Sequence, residues 1–345
     1  MKIFYEPNHL QHDPPFEGYN DSGPQPSYEK AARAEKVYAA LGEVDWAEFH
    51  PPTDFGLEPI LAVHSVTYLD YLHSAYQDWQ IHSPVSGMAF IPGTYGIDHQ
   101  KAKGLSGFEQ AGFFLMDTTV ALTPGTFLGA LQSAHCALTG AQALTMGESA
   151  AFSLNRPPGH HAGREICGGY CYFNNVAIAA QWLSRSGKVS ILDVDYHAGN
   201  GTQSIFYDRA DVLSVSLHAD PSDEYPYYAG HATETGAGPG VGFHRNFPLP
   251  VGTERSRYVE ALESALELIA RSAPEYLLVS AGMDIFKDDP LGSFKLTQDD
   301  INLIGRKISS LTLPTLIVME GGYHLPTLGS NFAAFLEPFG ERAFS

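Results

Sequence analysis

The chain of 345 residues has few basic side chains and no long hydrophobic run. Lysine and arginine number 20 against 39 aspartates and glutamates, giving a formal charge of −19. Because phosphate neutralisation needs clustered Lys and Arg, this balance argues against a nucleic acid partner and suits a cationic ligand. No apolar stretch reaches about 18 residues, and the first residues lack the regions of a signal peptide. We therefore expect a cytoplasmic protein without a membrane span.

Cysteine is also scarce, with only Cys136, Cys167 and Cys171. An odd and low number excludes a disulfide framework and is typical of a reducing compartment. Cys167 and Cys171 are four residues apart in a glycine-rich loop, but no second Cys or His pair at matching spacing accompanies them. The sequence therefore does not predict structural zinc at these cysteines.

Short apolar runs alternate with helical patterns along the whole chain, and no linker, charge run or repeat divides it. This predicts one α/β domain over residues 1–345, with a parallel sheet whose strands are buried on both faces. Residues 80–126 mix Gly, Pro, Tyr and Phe without a clean period, which predicts a long insertion over the surface. The predicted elements are an edge strand at 2–5, helices at 28–42, 65–77 and 126–147, and strands at 150–154, 189–192, 212–217, 276–280 and 315–319.

Chemically active side chains follow four of these predicted strands. In an open α/β sheet, ligands bind beyond the carboxyl ends of the strands, so residues at these ends should meet at one rim. Each segment alone would be weak evidence for a functional site, and it is their convergence at one rim that predicts one. The segments are Asn155 to His161, Asp193 to His197, Ala281 to Asp284, and Glu320 to Tyr323.

The segment Asp193-Val194-Asp195-Tyr196-His197 predicts metal ligands at the end of a buried strand. Residues two apart on a strand share a face, and buried carboxylates with an imidazole are costly without a cation. Asp195 and His197, together with Asp284, supply two oxygens and one nitrogen. That set suits zinc with open positions for water and substrate, and also fits ferrous iron or manganese.

The adjacent His160 and His161 follow a Pro-Pro-Gly turn and are predicted to act as acid and base rather than as ligands. Asp193 and Asn200 are the candidate partners that set their tautomers. A carboxylate partner favours an imidazolium, whereas an amide does not, which would separate the acid from the base. Tyr323 can donate its hydroxyl to a developing oxyanion.

Several motifs together resemble the zinc-dependent histone deacetylase family and, within it, the bacterial acetylpolyamine amidohydrolases. The resemblance implies a single-domain, three-layer arginase/deacetylase fold with a parallel sheet of about eight strands flanked by helices. It also implies hydrolysis of an acetamide to acetate and an amine. The motifs are Arg156 to His161, Gly168 to Asn175, Asp193 to His197, Gly199 to Thr202, Ser216 to His218, Asp284, and Gly321 to Tyr323.

The resemblance also assigns roles residue by residue. It implies zinc on Asp195, His197 and Asp284, and a homodimer formed through the insertion at about 80–126. A structural potassium is implied near Asp193, Asp195, His197, Ser216 and Leu217. The substrate, a small cationic acetylated amine, would contact Arg33 at the acetate pocket, Gly169, Tyr170 and Tyr225 along the channel, and Asp117 or Glu109 at its distal ammonium.

Two positions depart from the family pattern. The family usually has a second histidine after His197, where this chain has Ala198, so one supporting hydrogen bond is lost. Thr119 stands where the polyamine branch has an acidic residue. Three alternatives stay open: a deacetylase of acetyl-lysine proteins or other small amides, an arginase-like hydrolase with two manganese ions, and an inactive acyl-binding module.

Overall fold

A parallel sheet of eight strands forms the centre of the molecule in this computed structural model, which describes residues 1–20, 23–82, 89–96, 101 and 104–344. In the described residues the strands, numbered along the chain, are β1 Lys2–Phe4, β2 Phe16–Asn20, β3 Gly23–Pro26, β4 Glu48–His50, β5 Ala150–Ser153, β6 Val189–Asp193, β7 Val212–Ala219, β8 His244–Leu249, β9 Tyr276–Ala281 and β10 Thr315–Met319. The order across the sheet is β4-β1-β5-β10-β9-β6-β7-β8, while β2 and β3 pair separately as an antiparallel ribbon.

Successive residues of the central strands pack on opposite faces of the sheet. Ile191 lies in the hydrophobic core on one side, and Leu192 lies in the core on the other. On β10, Leu316 and Ile317 likewise lie in the cores on opposite faces of the sheet. Because side chains alternate along a strand, a strand covered on both faces must be apolar at every position. This is why the central strands show as continuous apolar runs in the sequence.

Helices cover both faces of the sheet and complete three layers. In the described residues they are α1 Ala32–Leu41, α2 Glu58–Leu61, α3 Val66–His82, α4 Thr126–Thr145, α5 Asn175–Leu183, α6 Asn200–Phe206, α7 Arg255–Ser272, α8 Gln298–Ser309 and α9 Leu325–Phe344. Side chains of α2 to α6 contribute to one core, and those of α1, α7, α8 and α9 to the other. Across the described ranges, none of these helices is long and apolar enough to cross a membrane.

The structure confirms the predicted fold class and shifts several element boundaries. The helix expected at 28–42 begins only at Ala32, and the one expected at 65–77 continues to His82. The strand expected at 2–5 is present as β1, but its predicted edge position is wrong, because β4 pairs outside β1 and itself forms the edge. Strand β4 has only three residues, of which Glu48 and His50 are polar, so no apolar run marks it.

The insertion expected at 80–126 is not confined to the surface. Its described part includes a 3-10 helix at Gly107–Phe113, and a bridge joins Phe90 to Leu122. Phe114, Leu115 and Leu122 are buried in the same core as α3 and α4. Single apolar residues alternate here with Gly and Pro and form no regular apolar face. Hydrophobic periodicity therefore cannot predict that these residues are buried. Positions 83–88, 97–100 and 102–103 of the predicted insertion lie outside the described residues.

Candidate active site

Five neighbouring strands of the sheet, β5, β10, β9, β6 and β7, end at one rim. All five run parallel, so their carboxyl ends point the same way. The loops that follow them contain most of the candidate catalytic residues, which the sheet therefore brings together from segments far apart in sequence. These residues are His160 and His161 after β5, Asp195 and His197 after β6, Tyr225 after β7, Asp284 after β9 and Tyr323 after β10.

The candidate metal ligands Asp195, His197 and Asp284 converge at this rim, with one donor atom of each within 4.8 Å of the others. His197 Nδ1 lies 3.2 Å from Asp284 Oδ2 and 3.4 Å from Asp195 Oδ1. Both carboxylates are fully buried, and the imidazole nearly so. Two oxygens and one nitrogen facing a common point form a donor set for a divalent cation with open coordination positions.

Backbone amides hold the two carboxylates in place. Gly321 N–H donates to Asp195 Oδ2 at 2.8 Å, and Tyr196 N–H donates to Asp284 Oδ1 at 3.0 Å. The approach is close enough to require glycine, because a Cβ on Gly282 would lie only 2.0 Å from Asp195 Oδ2. Such supporting contacts fix the orientation of metal ligands.

The charges at this cluster are strongly perturbed. Burial, and then the adjacent charge of Asp195, raise the pKa of Asp284 to about 7. Burial disfavours the His197 imidazolium, but hydrogen bonds to Asp195 and Asp284 outweigh that effect and raise its pKa to about 10. The raised pKa values mean that protons on Asp284 and His197 offset the repulsion between the two buried carboxylates. A divalent cation bound between these residues would offset the same repulsion. The residues therefore fit a metal centre.

The histidine pair has two different partners. His160 Nδ1 lies 3.0 Å from Asp193 Oδ2, and His161 Nδ1 lies 2.7 Å from Asn200 Oδ1. Burial opposes protonation of His160, but the charges of Asp195 and Asp193 hold its pKa well above 6.5. For His161, burial and the neighbouring His160 push the pKa well below 6.5. One imidazole is therefore charged and the other neutral, although their ring centroids are 4.0 Å apart.

Glu320, whose role the sequence did not reveal, anchors the loop before the histidine pair. Its Oε2 accepts hydrogen bonds from Gly159 N–H at 2.7 Å and His160 N–H at 3.1 Å, and its Oε1 accepts one from the Ser280 hydroxyl. The side chain is fully buried, and burial raises its pKa to about 7. The available signal was a charged residue directly after the buried strand β10.

Tyr323 lies at the end of the same segment with its side chain almost fully buried. Burial raises the pKa of its hydroxyl well above 10, which keeps it protonated as a donor. Arg33 stacks over the Tyr323 ring at 4.6 Å and donates to the carbonyls of Gly322 and Glu320. The Arg33 guanidinium is fully buried and also pairs with Glu29 at 3.0 Å. Arg33 thus lies directly behind the candidate oxyanion donor.

A cavity of about 370 Å³ opens in front of the cluster. Predicted channel residues Gly169, Tyr170 and Tyr225 contribute to its lining, as do His161 and Tyr323. Its twelve lining residues are Thr119, His161, Gly169, Tyr170, His197, Glu224, Tyr225, Pro290, Leu291, Gly292, Ser293 and Tyr323.

Asp117 supports the wall of this cavity from behind. Its Oδ2 accepts hydrogen bonds from Gly169 N–H at 2.9 Å and the Tyr225 hydroxyl at 2.6 Å. Its Oδ1 accepts two more, from the amide and hydroxyl of Thr119. Glu109, the other acidic candidate, is exposed and caps the 3-10 helix together with Ser106. Neither carboxylate is among the lining residues, although Thr119 is.

Glu224, in the loop after β7, is the one carboxylate among the lining residues and was not predicted from the sequence. Its Oε1 accepts hydrogen bonds from the Tyr196 hydroxyl at 2.9 Å and the Ser293 hydroxyl at 3.2 Å. Its position immediately before Tyr225 is a signal that could have found it, because adjacent residues of a loop can both face a channel.

Of the residues predicted near potassium, Asp193, Ser216 and Leu217 lie on two paired strands, and Asp195 and His197 follow β6. Asp193 of β6 is the register partner of Ser216 of β7, and Leu217 follows in the core. The Ser216 hydroxyl lies 2.7 Å from His218 Nδ1, and Asp193 Oδ1 accepts from Asp195 N–H. Ala198, where the family usually has a histidine, is buried. Gly230 lies so close to it that a Cβ on Gly230 would be 2.6 Å from the Ala198 methyl group. The backbone at Gly230 thus occupies the space next to Ala198.

All three cysteines are buried free thiols. Burial raises the pKa of Cys167 to about 12 and that of Cys171 well above its usual value. Protonated, inaccessible thiols are poor nucleophiles and poor metal ligands.

A cation-binding cluster beside one neutral and one charged imidazole, at the carboxyl rim of a parallel sheet, is the arrangement of a metal-assisted hydrolase. The family comparison specifies the class further. The model of the histone deacetylase domain matches residues 27–338, and the chain belongs to that family. The resemblance predicted from the motifs is confirmed.

Relatives of known name match over almost the whole chain. Acetylpolyamine amidohydrolase 2 of Pseudomonas aeruginosa is 44% identical over 91% of this chain and 92% of its own length. Acetylpolyamine amidohydrolase of Mycoplana ramosa is 42% identical over 90% and 92% of the two chains. The crystal structure of acetylpolyamine aminohydrolase from Burkholderia pseudomallei, 37% identical, covers 99% of this chain and 98% of its own with a TM-score of 0.94. The HDA15 HD domain, 24% identical with a TM-score of 0.79, shares the fold.

Proposed function

We propose that the protein is a deacetylase that hydrolyses N-acetylated amines, with acetylpolyamines such as acetylputrescine, acetylcadaverine and acetylspermidine as its substrates. The observation that carries this proposal is the Asp195, His197 and Asp284 cluster, whose His197 lines a cavity together with His161 and Tyr323. The names of the relatives at 42–44% identity support the substrate class.

Zinc is the proposed metal, with ferrous iron as the second candidate, because both accept two carboxylates and an imidazole. When bound, the cation supplies Lewis acidity to a water molecule and to the acetamide carbonyl. Asp195, His197 and Asp284 would hold it. A dinuclear arginase-like centre would need more carboxylates than this cluster offers.

His161 is the proposed general base. It lines the cavity, and burial lowers its pKa well below 6.5, so it is neutral. Its Nδ1 hydrogen bond to Asn200 Oδ1 leaves the lone pair on Nε2. Nε2 takes a proton from water as the new C–O bond forms. The same proton is then delivered to the amine nitrogen as the C–N bond breaks, giving the free amine and acetic acid, which ionises to acetate by releasing its proton to solvent.

Tyr323 and His160 stabilise the charge that develops during this reaction. The protonated Tyr323 hydroxyl donates to the carbonyl oxygen as it becomes an oxyanion. His160, held as an imidazolium beside Asp193, adds positive charge next to the base. Arg33, buried behind the Tyr323 ring, is the proposed positive charge near the acetate product.

The walls of the cavity suit a slender, cationic substrate. Tyr170 and Tyr225 present aromatic faces that can contact methylene groups and attract a passing ammonium. The net charge of −19 favours the approach of polyamines over that of anionic compounds. Acetyl-lysine in a bulky protein is the less favoured alternative.

Three further features belong to this proposal. A structural potassium would lie near Asp193 and Ser216, coordinated by side-chain and carbonyl oxygens. A homodimer would form through the insertion at about 80–126, which also narrows the channel. The protein would act in the cytoplasm. Analytical ultracentrifugation tests the dimer, and thermal unfolding in potassium against sodium buffers tests the ion.

Tyr323→Phe tests the chemistry. Removal of the hydroxyl should lower kcat on acetylputrescine about 100- to 1,000-fold with little change in KM, the cost of losing one oxyanion donor. Steady-state kinetics with zinc-loaded and ferrous-loaded enzyme measure it. Tyr38→Phe, the same change at an exposed tyrosine of α1, is the control and should be inert.

Wild-type turnover by Tyr323→Phe would contradict the oxyanion role. Elemental analysis adds an independent result, because two tightly bound ions per chain would favour the dinuclear alternative. The absence of turnover on acetylated diamines, acetyl-lysine peptides and other small amides with either metal would leave the inactive acyl-binding module.

A further inference from the structure

We propose that the Glu224 carboxylate is a recognition site for a second, protonated nitrogen of the substrate. The inference rests on the proposed deacetylase function and names the residue that would recognise the distal ammonium of the substrates proposed there. The ligand would be an acetylated amine that carries a free ammonium group on the same aliphatic chain.

The first observation is the position of Glu224 in the cavity. It is the one acidic side chain among the twelve lining residues, and none of the twelve is Lys or Arg. Pro290, Leu291 and Tyr170 line the same cavity, as does Ser293, which donates a hydrogen bond to Glu224. A substrate whose amide lies at the metal cluster shares this cavity with Glu224, since His197 and Glu224 both line it.

The second observation is the hydrogen bonding of the carboxylate. Tyr196 and Ser293 both donate to Oε1, and they fix the side chain against the wall. Within the described residues, Oε2 has no hydrogen-bond partner from the protein. An oriented carboxylate with one available oxygen can accept a charge-assisted hydrogen bond from an ammonium, and such bonds are stronger than those between neutral groups.

Asp117 provides the contrast that makes Glu224 the better candidate. Both oxygens of Asp117 are occupied, each by two donors from Thr119, Gly169 and Tyr225. To accept an ammonium, Asp117 would have to share or release bonds that hold the wall in place. Glu224 needs no such rearrangement.

The polarity of the surroundings increases the preference for a cation. Glu224 is half-buried, and the neighbouring side chains Tyr225, Pro290 and Leu291 offer few polar atoms. In such an environment a carboxylate discriminates a cation from a neutral group more strongly than it would in bulk water. The wall should therefore accept an ammonium and reject both a carboxylate and an uncharged chain end.

Glu224→Gln tests the inference, because the amide keeps an oxygen for Tyr196 and Ser293 but loses the charge. The kcat/KM for acetylputrescine should fall about 10-fold, equal to roughly 1.4 kcal/mol, mainly through KM. The kcat/KM for N-butylacetamide, which has the same chain length without the ammonium, should change less than about 2-fold. Free putrescine should also inhibit the variant less strongly than the wild type.

Two control variants separate recognition from structure. Ser293→Ala removes one hydrogen bond to Glu224 but keeps the charge, so the preference for acetylputrescine should remain. Glu267→Gln removes one negative charge from the exposed side of α7 and should leave both substrates unaffected. An equal loss on both substrates in Glu224→Gln, or no loss on either, would overturn the inference. Failure of the wild type to hydrolyse either substrate would instead contradict the proposed function.

Discussion

The floor and the walls of the cavity are built in different ways. The floor comprises Asp195, His197, Asp284 and the histidine pair, which lie in the loops directly after β6, β9 and β5. Backbone amides bond to the carboxylates of Asp195 and Asp284. The walls come from long loops, in which Asp117 joins Gly169, some fifty positions away, to Tyr225, still further along the chain. The sheet thus positions the candidate catalytic residues, and contacts between distant loops shape the cavity in front of them.

Electrostatics separates the two regions further. In the floor, neighbouring charges and burial drive pKa values apart, so that His160 is charged and His161 is neutral. In the walls, Asp117 is balanced by neutral donors from the backbone, a hydroxyl and a phenol. Changes in the floor should therefore remove activity, whereas changes in the walls should alter which substrate is preferred.

The largest effect is expected for Asp284→Asn in the floor. Loss of a ligand charge should lower kcat by more than about 100-fold, since even a partner outside the ligand shell costs up to about 100-fold. Zinc affinity, measured by calorimetric titration, should fall as well, and this second measurement does not depend on turnover. Asp299→Asn, at an exposed position of α8, is the matched control. Unchanged zinc affinity in Asp284→Asn would remove Asp284 from the ligand set.

An intermediate effect is expected for Asp117→Asn in the walls. The amide nitrogen cannot accept the bonds that one carboxylate oxygen now receives, so the loop that carries Gly169 should shift. We expect kcat/KM to fall about 10-fold on acetylputrescine and on N-butylacetamide alike, because Asp117 shapes the wall and does not bind the ammonium. A loss confined to the charged substrate would show that Asp117 and not Glu224 recognises it.

The smallest effect is expected where wall and floor meet, for Tyr228→Phe. Asn200 Nδ2 donates to the Tyr228 hydroxyl at 2.9 Å, which turns Asn200 Oδ1 toward His161. Without that hydroxyl the amide can rotate, and kcat should fall about 3-fold, the cost of one weakened neutral hydrogen bond.

A double-mutant cycle provides the control for Tyr228. A carboxylate has two equivalent oxygens, so in an Asn200→Asp background the Tyr228→Phe change should have no further effect on kcat. An equal loss in both backgrounds would mean that Tyr228 acts through packing alone.

Sequence reasoning predicted the sheet and the floor because both follow local rules. Apolar runs such as Val189 to Leu192 mark strands buried on both faces, and the polar residues that end them must lie at one rim. The fold and the family are confirmed on this basis. The individual roles at the floor stay predictions, now with a defined geometry.

The walls were harder to predict because their contacts are distant in the sequence. Nothing near Asp117 indicates that its partners are Gly169 and Tyr225. Glu224 resembles a solvated loop residue until Tyr196 and Ser293, far apart in the chain, are seen to donate to it. Such pairs depend on how loops fold over the rim, which periodicity does not encode.

Glu320 has a consequence for the dynamics of the site. Loops normally open locally at a small fraction of the free energy of global unfolding. The loop before His160 is different, because its two amides bond to a carboxylate that sits directly after β10 and is itself bonded to Ser280 of β9. If this loop opened, the buried Glu320 carboxylate would lose both of its N–H donors. The proposed base should therefore be as resistant to local opening as the core of the sheet.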